Sequence, residues 1–145
     1  ATADNFIGYT DVQLEPGPVA TDFEHEPISV TLAKCQRYFY RLQESGTNSL
    51  GIGSGGYMST SVAYVLVQFP VEMRAAPTMS VSAVADFKVQ ANSQVNDTNA
   101  MATAYAGSTL TTILQATTGA AVAGEGVILR TDGSAAGFIQ YSAEL

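Results

Sequence analysis

Ser61-Val-Ala-Tyr-Val-Leu-Val-Gln-Phe69 decides the fold class, because this stretch is apolar on both sides of an extended chain. Two apolar sets alternate along it: Ala63, Val65, Val67 and Phe69 on one face, and Val62, Tyr64 and Leu66 on the other. Its short length and its β-branched and aromatic residues favour a strand over a helix. We therefore expect a central strand that is covered on both faces.

Short period-two segments continue on both sides of this strand. We expect strands near residues 6–15, 37–42, 78–85, 87–90, 101–106, 109–116, 126–131 and 138–144, separated by turns rich in Gly, Pro, Ser and Asn. The exception is residues 28–36, where Ile28, Leu32 and Cys35 recur at helical spacing after Pro27. Many short strands at close spacing are typical of a sandwich or barrel. We predict an all-β, antiparallel, jelly-roll-like β-sandwich with one short helix near the N-terminus.

Composition limits the classes of function. The chain has 145 residues, of which 46% are apolar, so it can bury the core of one folded domain. Only 13% are charged, and the net charge of −7 disfavours contact with the phosphates of nucleic acid. Neither a polybasic cluster nor an apolar run of membrane-spanning length is present, so we expect no membrane insertion. The start resembles no signal peptide, and we expect it to be a cut within a longer polypeptide.

Catalytic and cofactor patterns are weak. The single cysteine, Cys35, excludes a disulfide within the chain, and its flanks, Leu32-Ala-Lys34 and Gln36-Arg-Tyr38, suggest a half-buried structural thiol. His25 lies between two glutamates, which suits surface ion pairing better than general base catalysis. The letters G-x-G-x-x-G at residues 51–56 precede a β run, whereas a dinucleotide site needs a helix there. We expect no enzymatic activity and neither cofactor nor metal.

Four segments are informative together: Asp11-Val-Gln-Leu-Glu-Pro-Gly17, Leu32-Ala-Lys-Cys-Gln-Arg-Tyr-Phe-Tyr-Arg41, Pro70-Val-Glu-Met-Arg-Ala-Ala-Pro77 and Gly137-Phe-Ile-Gln-Tyr-Ser-Ala-Glu-Leu145. The last three resemble the opening, middle and end of the C-terminal head or receptor-binding module of bacteriophage tail fibre and tail-tip proteins. The first resembles the closing strand of a carbohydrate-binding-like β-sandwich that precedes this module. Residues 1–27 would then be a strand and connector of an upstream fibre domain, and residues 28–145 the head.

The resemblance implies a trimeric fibre at the virion periphery, outside the host cell. Its partners would be upstream tail proteins and a host-surface receptor, a glycan or a protein. The alternative is a purely structural module that trimerises or caps the fibre, or decorates a capsid, without touching a receptor. An enzyme that trims surface polysaccharide is disfavoured, because the candidate carboxylates lie beside turn residues and lack an aromatic cleft: Asp86, Asp97, Glu125 and Asp132.

Receptor contacts are expected in loops on the β scaffold. We predict that residues 51–58 and 91–99 form two such loops. The candidate receptor-binding residues are Ser54, Tyr57, Asn92, Asn96, Asp97, Asn99 and Tyr105. The second apolar face of residues 61–69 predicts a subunit contact, and the resemblance makes the assembly a homotrimer. A helix or long loop that covers this face within the monomer is the rival interpretation.

Overall fold

A computed structural model describes residues 12–19, 21–22, 25–46, 48–92, 94–105, 107–133 and 137–144. The strand expected at residues 6–15 lies outside this part of the chain except for residues 12–15, which have no regular secondary structure. The remaining expectations for helices and strands fall on described residues, except for residue 106 at the end of the strand expected at 101–106.

One α-helix and nine strands form the described fold. The helix α1 is Ile28–Gln36, and the strands are β1 Phe39–Gln43, β2 Gly51–Tyr57, β3 Val62–Gln68, β4 Thr78–Val81, β5 Phe87–Ala91, β6 Val95–Thr103, β7 Thr111–Thr118, β8 Gly126–Thr131 and β9 Phe138–Ser142. A single 3₁₀ turn, Val84–Asp86, separates β4 from β5. The expected all-β class with one short helix at residues 28–36 is confirmed.

Six strands close into a barrel in the order β2-β3-β7-β6-β5-β8, and every neighbouring pair is antiparallel. Closure follows from β8, which pairs with β2 along one edge and with β5 along the other. A closed barrel leaves no open edge among its strands. The expected two-layer sandwich is therefore not the arrangement of the described strands.

The barrel interior takes buried apolar residues from five of the six strands, whereas β6 contributes the partly buried Met101 and the buried Thr98. Along β3, Ala63, Val65 and Val67 are fully or almost fully buried, whereas Leu66 on the outer side is 51% exposed. On this outer side Tyr64 is packed by Tyr105, which follows β6, whereas Leu66 stays open to solvent. The rival interpretation, in which a helix or long loop covers this face within the monomer, is therefore not met at Leu66.

The remaining strands form a small sheet in the order β1-β9-β4. An aromatic cluster ties this sheet to the barrel, because Phe69, directly after β3, lies 4.9 Å from the ring of Tyr141 and 6.1 Å from that of Tyr40. Burial raises the pKa of the Tyr141 hydroxyl, and the neighbouring Tyr40 adds to that effect. The barrel interior and the small sheet thus share one continuous core.

The helix α1 packs differently from our expectation. It buries none of its residues, and its apolar residues Ile28 and Leu32 are 86% and 55% exposed. Cys35 is also exposed, so the interpretation of a half-buried thiol was wrong. The amphipathic spacing identified the helix correctly, but the described chain provides no apolar surface for it to cover.

Candidate functional site

A depression of about 380 Å³ lies on the barrel where β5, β8 and β2 run side by side. Its lining includes Gly126 and Gly55, the side chain of Ile128, and Gln90 and Asn92. An added Cβ at Gly126 would meet only the carbonyl oxygen of Gly55, at 4.0 Å, so the depression exists because β8 begins with a residue that has no side chain. Its volume is at the lower end of ordinary ligand pockets.

The polar residues that line this depression, Gln90 and Asn92, carry no formal charge. Gln90 and Asn92 are both exposed amides. The Oε1 atom of Gln90 accepts a hydrogen bond from Nε of Arg130 at 3.0 Å, which leaves the amide nitrogen of Gln90 to donate elsewhere. Ile128, 51% exposed, supplies an apolar wall opposite Gln90, its register partner on β5. Amides beside an apolar surface suit a neutral ligand that has both hydroxyl groups and C–H faces.

Two predicted receptor-binding residues lie at or beside the depression. Asn92 lines it directly. Ser54 is exposed on β2 and is the register partner of Ile128. These two are the only members of the predicted set that the described structure brings to this place.

Tyr57 and Asn96 face the barrel interior instead. Tyr57 is only 2% exposed, and its hydroxyl accepts a hydrogen bond from Nδ2 of Asn96 at 3.0 Å and lies 3.3 Å from Oγ1 of Thr118. Thr98, opposite Thr118 in the ladder, has a buried hydroxyl without a hydrogen-bond partner in the described chain. These groups form a polar plug at one end of the barrel, so the prediction that Tyr57 is an exposed receptor contact was wrong.

The other predicted contacts are scattered over the outer surface. Asp97 accepts a hydrogen bond from Lys88, its register partner on β5. Asn99 is exposed at a register shift in β6. Tyr105 is 59% exposed and packs edge-to-face against Tyr64, 5.9 Å between ring centroids. The predicted set therefore does not form one site.

Both expected binding loops are mostly strands. Residues 51–57 are β2, and residues 95–99 belong to β6. The predicted receptor-binding residues did not include Gln90, Gly126 and Ile128, which line the depression. A usable signal was present, since Gly126 opens a strand in which Ile128 alternates with the inward residues Val127 and Leu129. Alternation places Ile128 outward, next to a position without a side chain.

Two structural observations bear on other classes of site. Within the described ranges, no group of three or more His, Cys, Asp or Glu side chains is close enough to hold a metal ion. No helix in that part of the chain is both long and apolar enough to cross a bilayer.

Comparison of the chain with protein-family models, with curated proteins and with solved structures gave no significant match in any of the three. Any assignment of function to the depression therefore depends on its chemistry and on the sequence segments described above.

Proposed function

We propose that the chain is a non-enzymatic module of a bacteriophage tail fibre or tail tip, and that it binds a host-surface glycan in the depression at Gly126. The observation that carries this proposal is the pairing of uncharged amides, from Gln90 and Asn92, with the apolar wall of Ile128 over a glycine. Sugars present hydroxyl groups around the ring edge and C–H groups on its face, so they match both kinds of surface.

Charge supports a neutral glycan over an anionic one. The net charge of −7 repels polyanions at long range, and no charged side chain lines the depression. The rigid barrel beneath it holds the lining residues in place before binding, which reduces the entropy lost when a ligand is fixed. The resemblance of the sequence segments to tail fibre proteins supports the further proposals that this module lies at the virion periphery, outside the cell, that it is joined to upstream tail proteins, and that it assembles as a homotrimer.

Glycan-array binding tests the proposal with a matched pair of glycine variants. Gly126→Leu fills the depression, whereas Gly119→Leu adds the same side chain at a position that has no neighbouring atom within 4 Å. We expect the wild-type protein and Gly119→Leu to bind the same glycans, and Gly126→Leu to lose at least tenfold in affinity. Absence of glycan binding by the wild type, or equal binding by Gly126→Leu, would overturn the proposal.

A purely structural role is the second candidate function. The exposed side chain of Leu66 on the outer side of β3 favours it. In that case the module would trimerise or cap the fibre and bind no receptor. The same array distinguishes the two roles, because a structural module binds no glycan. Release of reducing ends from a host polysaccharide would instead reveal an enzyme.

A further inference from the structure

Gln90 presents a hydrogen-bond donor, rather than an acceptor, to a ligand in the depression. Its Oε1 atom accepts a hydrogen bond from Nε of Arg130 at 3.0 Å. A guanidinium group has donors and no acceptor, so the amide oxygen of Gln90 must face Arg130 and the amide nitrogen Nε2 must face away from it. Arg130 is itself held, because one terminal nitrogen donates to Oγ of Ser49 at 2.8 Å and to the carbonyl oxygen of Thr131 at 3.0 Å. The orientation of the Gln90 amide is therefore set before a ligand binds.

Two exposed apolar side chains flank this donor. Gln90 pairs with Ile128 of β8 on one side and with Val95 of β6 on the other. Residues directly opposite each other in antiparallel strands have their Cβ atoms about 5 Å apart, on the same face of the sheet. Ile128 and Val95 are 51% and 49% exposed, and Gln90 is exposed between them. The outer surface at the depression therefore has the order apolar, donor, apolar across three neighbouring strands.

This order distinguishes among neutral sugars. A sugar hydroxyl group carries a proton that needs an acceptor, and the oxygen of Gln90 is already engaged by Arg130. The carbonyl oxygen of an acetamido group only accepts, and it has a methyl group on one side and the C–H groups of the sugar ring on the other. Those two apolar parts match the two apolar side chains beside Gln90. The N–H of the same acetamido group can donate to the side-chain oxygen of Asn92, which also lines the depression.

We propose that the depression recognises an N-acetylated amino sugar. Its acetamido carbonyl oxygen accepts a hydrogen bond from Nε2 of Gln90, and its methyl group and ring pack against Ile128 and Val95. The inference rests on the proposed function, because it specifies which neutral glycan the depression binds. It requires no charge on the ligand, in agreement with the uncharged lining.

Isothermal titration calorimetry with matched disaccharides tests the inference. N,N′-diacetylchitobiose and cellobiose have the same linkage and differ in carrying acetamido groups or hydroxyl groups at the same ring position. N-acetyllactosamine and lactose form a second pair of this kind. In at least one pair, we expect the acetamido sugar to bind the wild-type protein about tenfold or more tightly than its hydroxyl counterpart, because it adds a hydrogen bond and a methyl contact. Equal affinity within both pairs, or binding of neither acetamido sugar, would overturn the inference.

Two glutamine variants locate the contact. Gln90→Glu keeps an oxygen for Arg130 and replaces the donor nitrogen with a second oxygen, so it should remove the preference for the acetamido sugar. Gln43→Glu introduces the same charge at an exposed position of β1 in the small sheet and should leave that preference unchanged. A preference that persists in Gln90→Glu would contradict the assigned contact. The comparison of sugars on the wild-type protein does not depend on the folding of either variant.

The outcomes separate failure of this inference from failure of the proposed function. If the wild-type protein binds glycans on the array and Gly126→Leu loses that binding, but neither disaccharide pair shows the preference, only the inference fails. If the wild-type protein binds no glycan at all, the proposed function fails together with the inference.

Discussion

Replacing Gly55 with alanine should open the barrel at its tightest point. A Cβ at Gly55 would lie 1.8 Å from the carbonyl oxygen of Tyr64 and 2.9 Å from the Cα of Val65, both backbone atoms of β3. The backbone of a closed barrel has little freedom to move away from the added Cβ. Gly55→Ala should therefore lower the free energy of unfolding by an amount at the upper end of the range for overpacked cores, about 3 kcal/mol or more. For a chain of this size that corresponds to a fall in melting temperature of about 10 °C.

Gly126→Ala, on the neighbouring strand β8, is the matched control, because its Cβ would meet only the carbonyl oxygen of Gly55, at an unstrained 4.0 Å. Alanine restricts the unfolded chain, so this variant should be neutral or more stable by up to about 1 kcal/mol. Thermal and urea unfolding followed by circular dichroism measure both variants against wild type. Equal melting temperatures for Gly55→Ala and Gly126→Ala would refute the close approach of β2 and β3.

Three further substitutions test buried polar groups. Glu44 is 3% exposed, and neither of its carboxylate oxygens has a hydrogen-bond partner in the described chain. Glu44→Met should therefore raise the free energy of unfolding, measured in urea, by about 1–3 kcal/mol, and a lower free energy of unfolding would contradict this expectation. Because burial raises the pKa of Tyr141 in the folded state, the tyrosine ionises first in the unfolded protein, and the free energy of unfolding should fall as pH rises above about 10. Tyr141→Phe should flatten that fall, and the same dependence of unfolding free energy on pH in wild type and variant would contradict a buried Tyr141 hydroxyl. Tyr57→Phe removes the hydroxyl that bonds Asn96 and Thr118, so urea unfolding should show a loss of about 1–2 kcal/mol, and no loss would mean that the plug contributes little.

Local patterns predicted much of the fold. Spacing of Ile28, Leu32 and Cys35 gave the helix with its observed limits, and alternation placed Ala63, Val65 and Val67 on one face of β3, the face that is buried. The expectation that the other face is covered as well is not met at Leu66, which is 51% exposed. Such elements follow from neighbours along the chain, which a sequence contains directly.

The missed strand β2 shows why the rest could not be predicted. Glycine within a short polar segment usually indicates a loop, and residues 51–56 were interpreted in that way. In the structure Gly53 and Gly55 are required because the β3 backbone passes too close for a Cβ. That requirement comes from the backbone of the paired strand β3, so nothing in the residues of β2 themselves distinguishes it from turn chemistry.

Barrel closure and the depression depend on pairing between strands that are far apart in the sequence. Strand β8 pairs with both β2 and β5, and only that pairing sets Gly126 beside Gln90 and Asn92. Tyr57 was assigned to a loop because β2 was not predicted, and the register of β2 with the next strand, β3, places it opposite the buried Ala63.

Nuclear magnetic resonance titration of the ¹⁵N-labelled protein with surface polysaccharide from a susceptible host tests the central claim most directly. We expect saturable shift changes at the backbone amides of Gly126 and Ile128 and at the side-chain amides of Gln90 and Asn92, and none at Gly119. Shift changes confined to another surface, or none at any polysaccharide concentration, would contradict a glycan site in the depression.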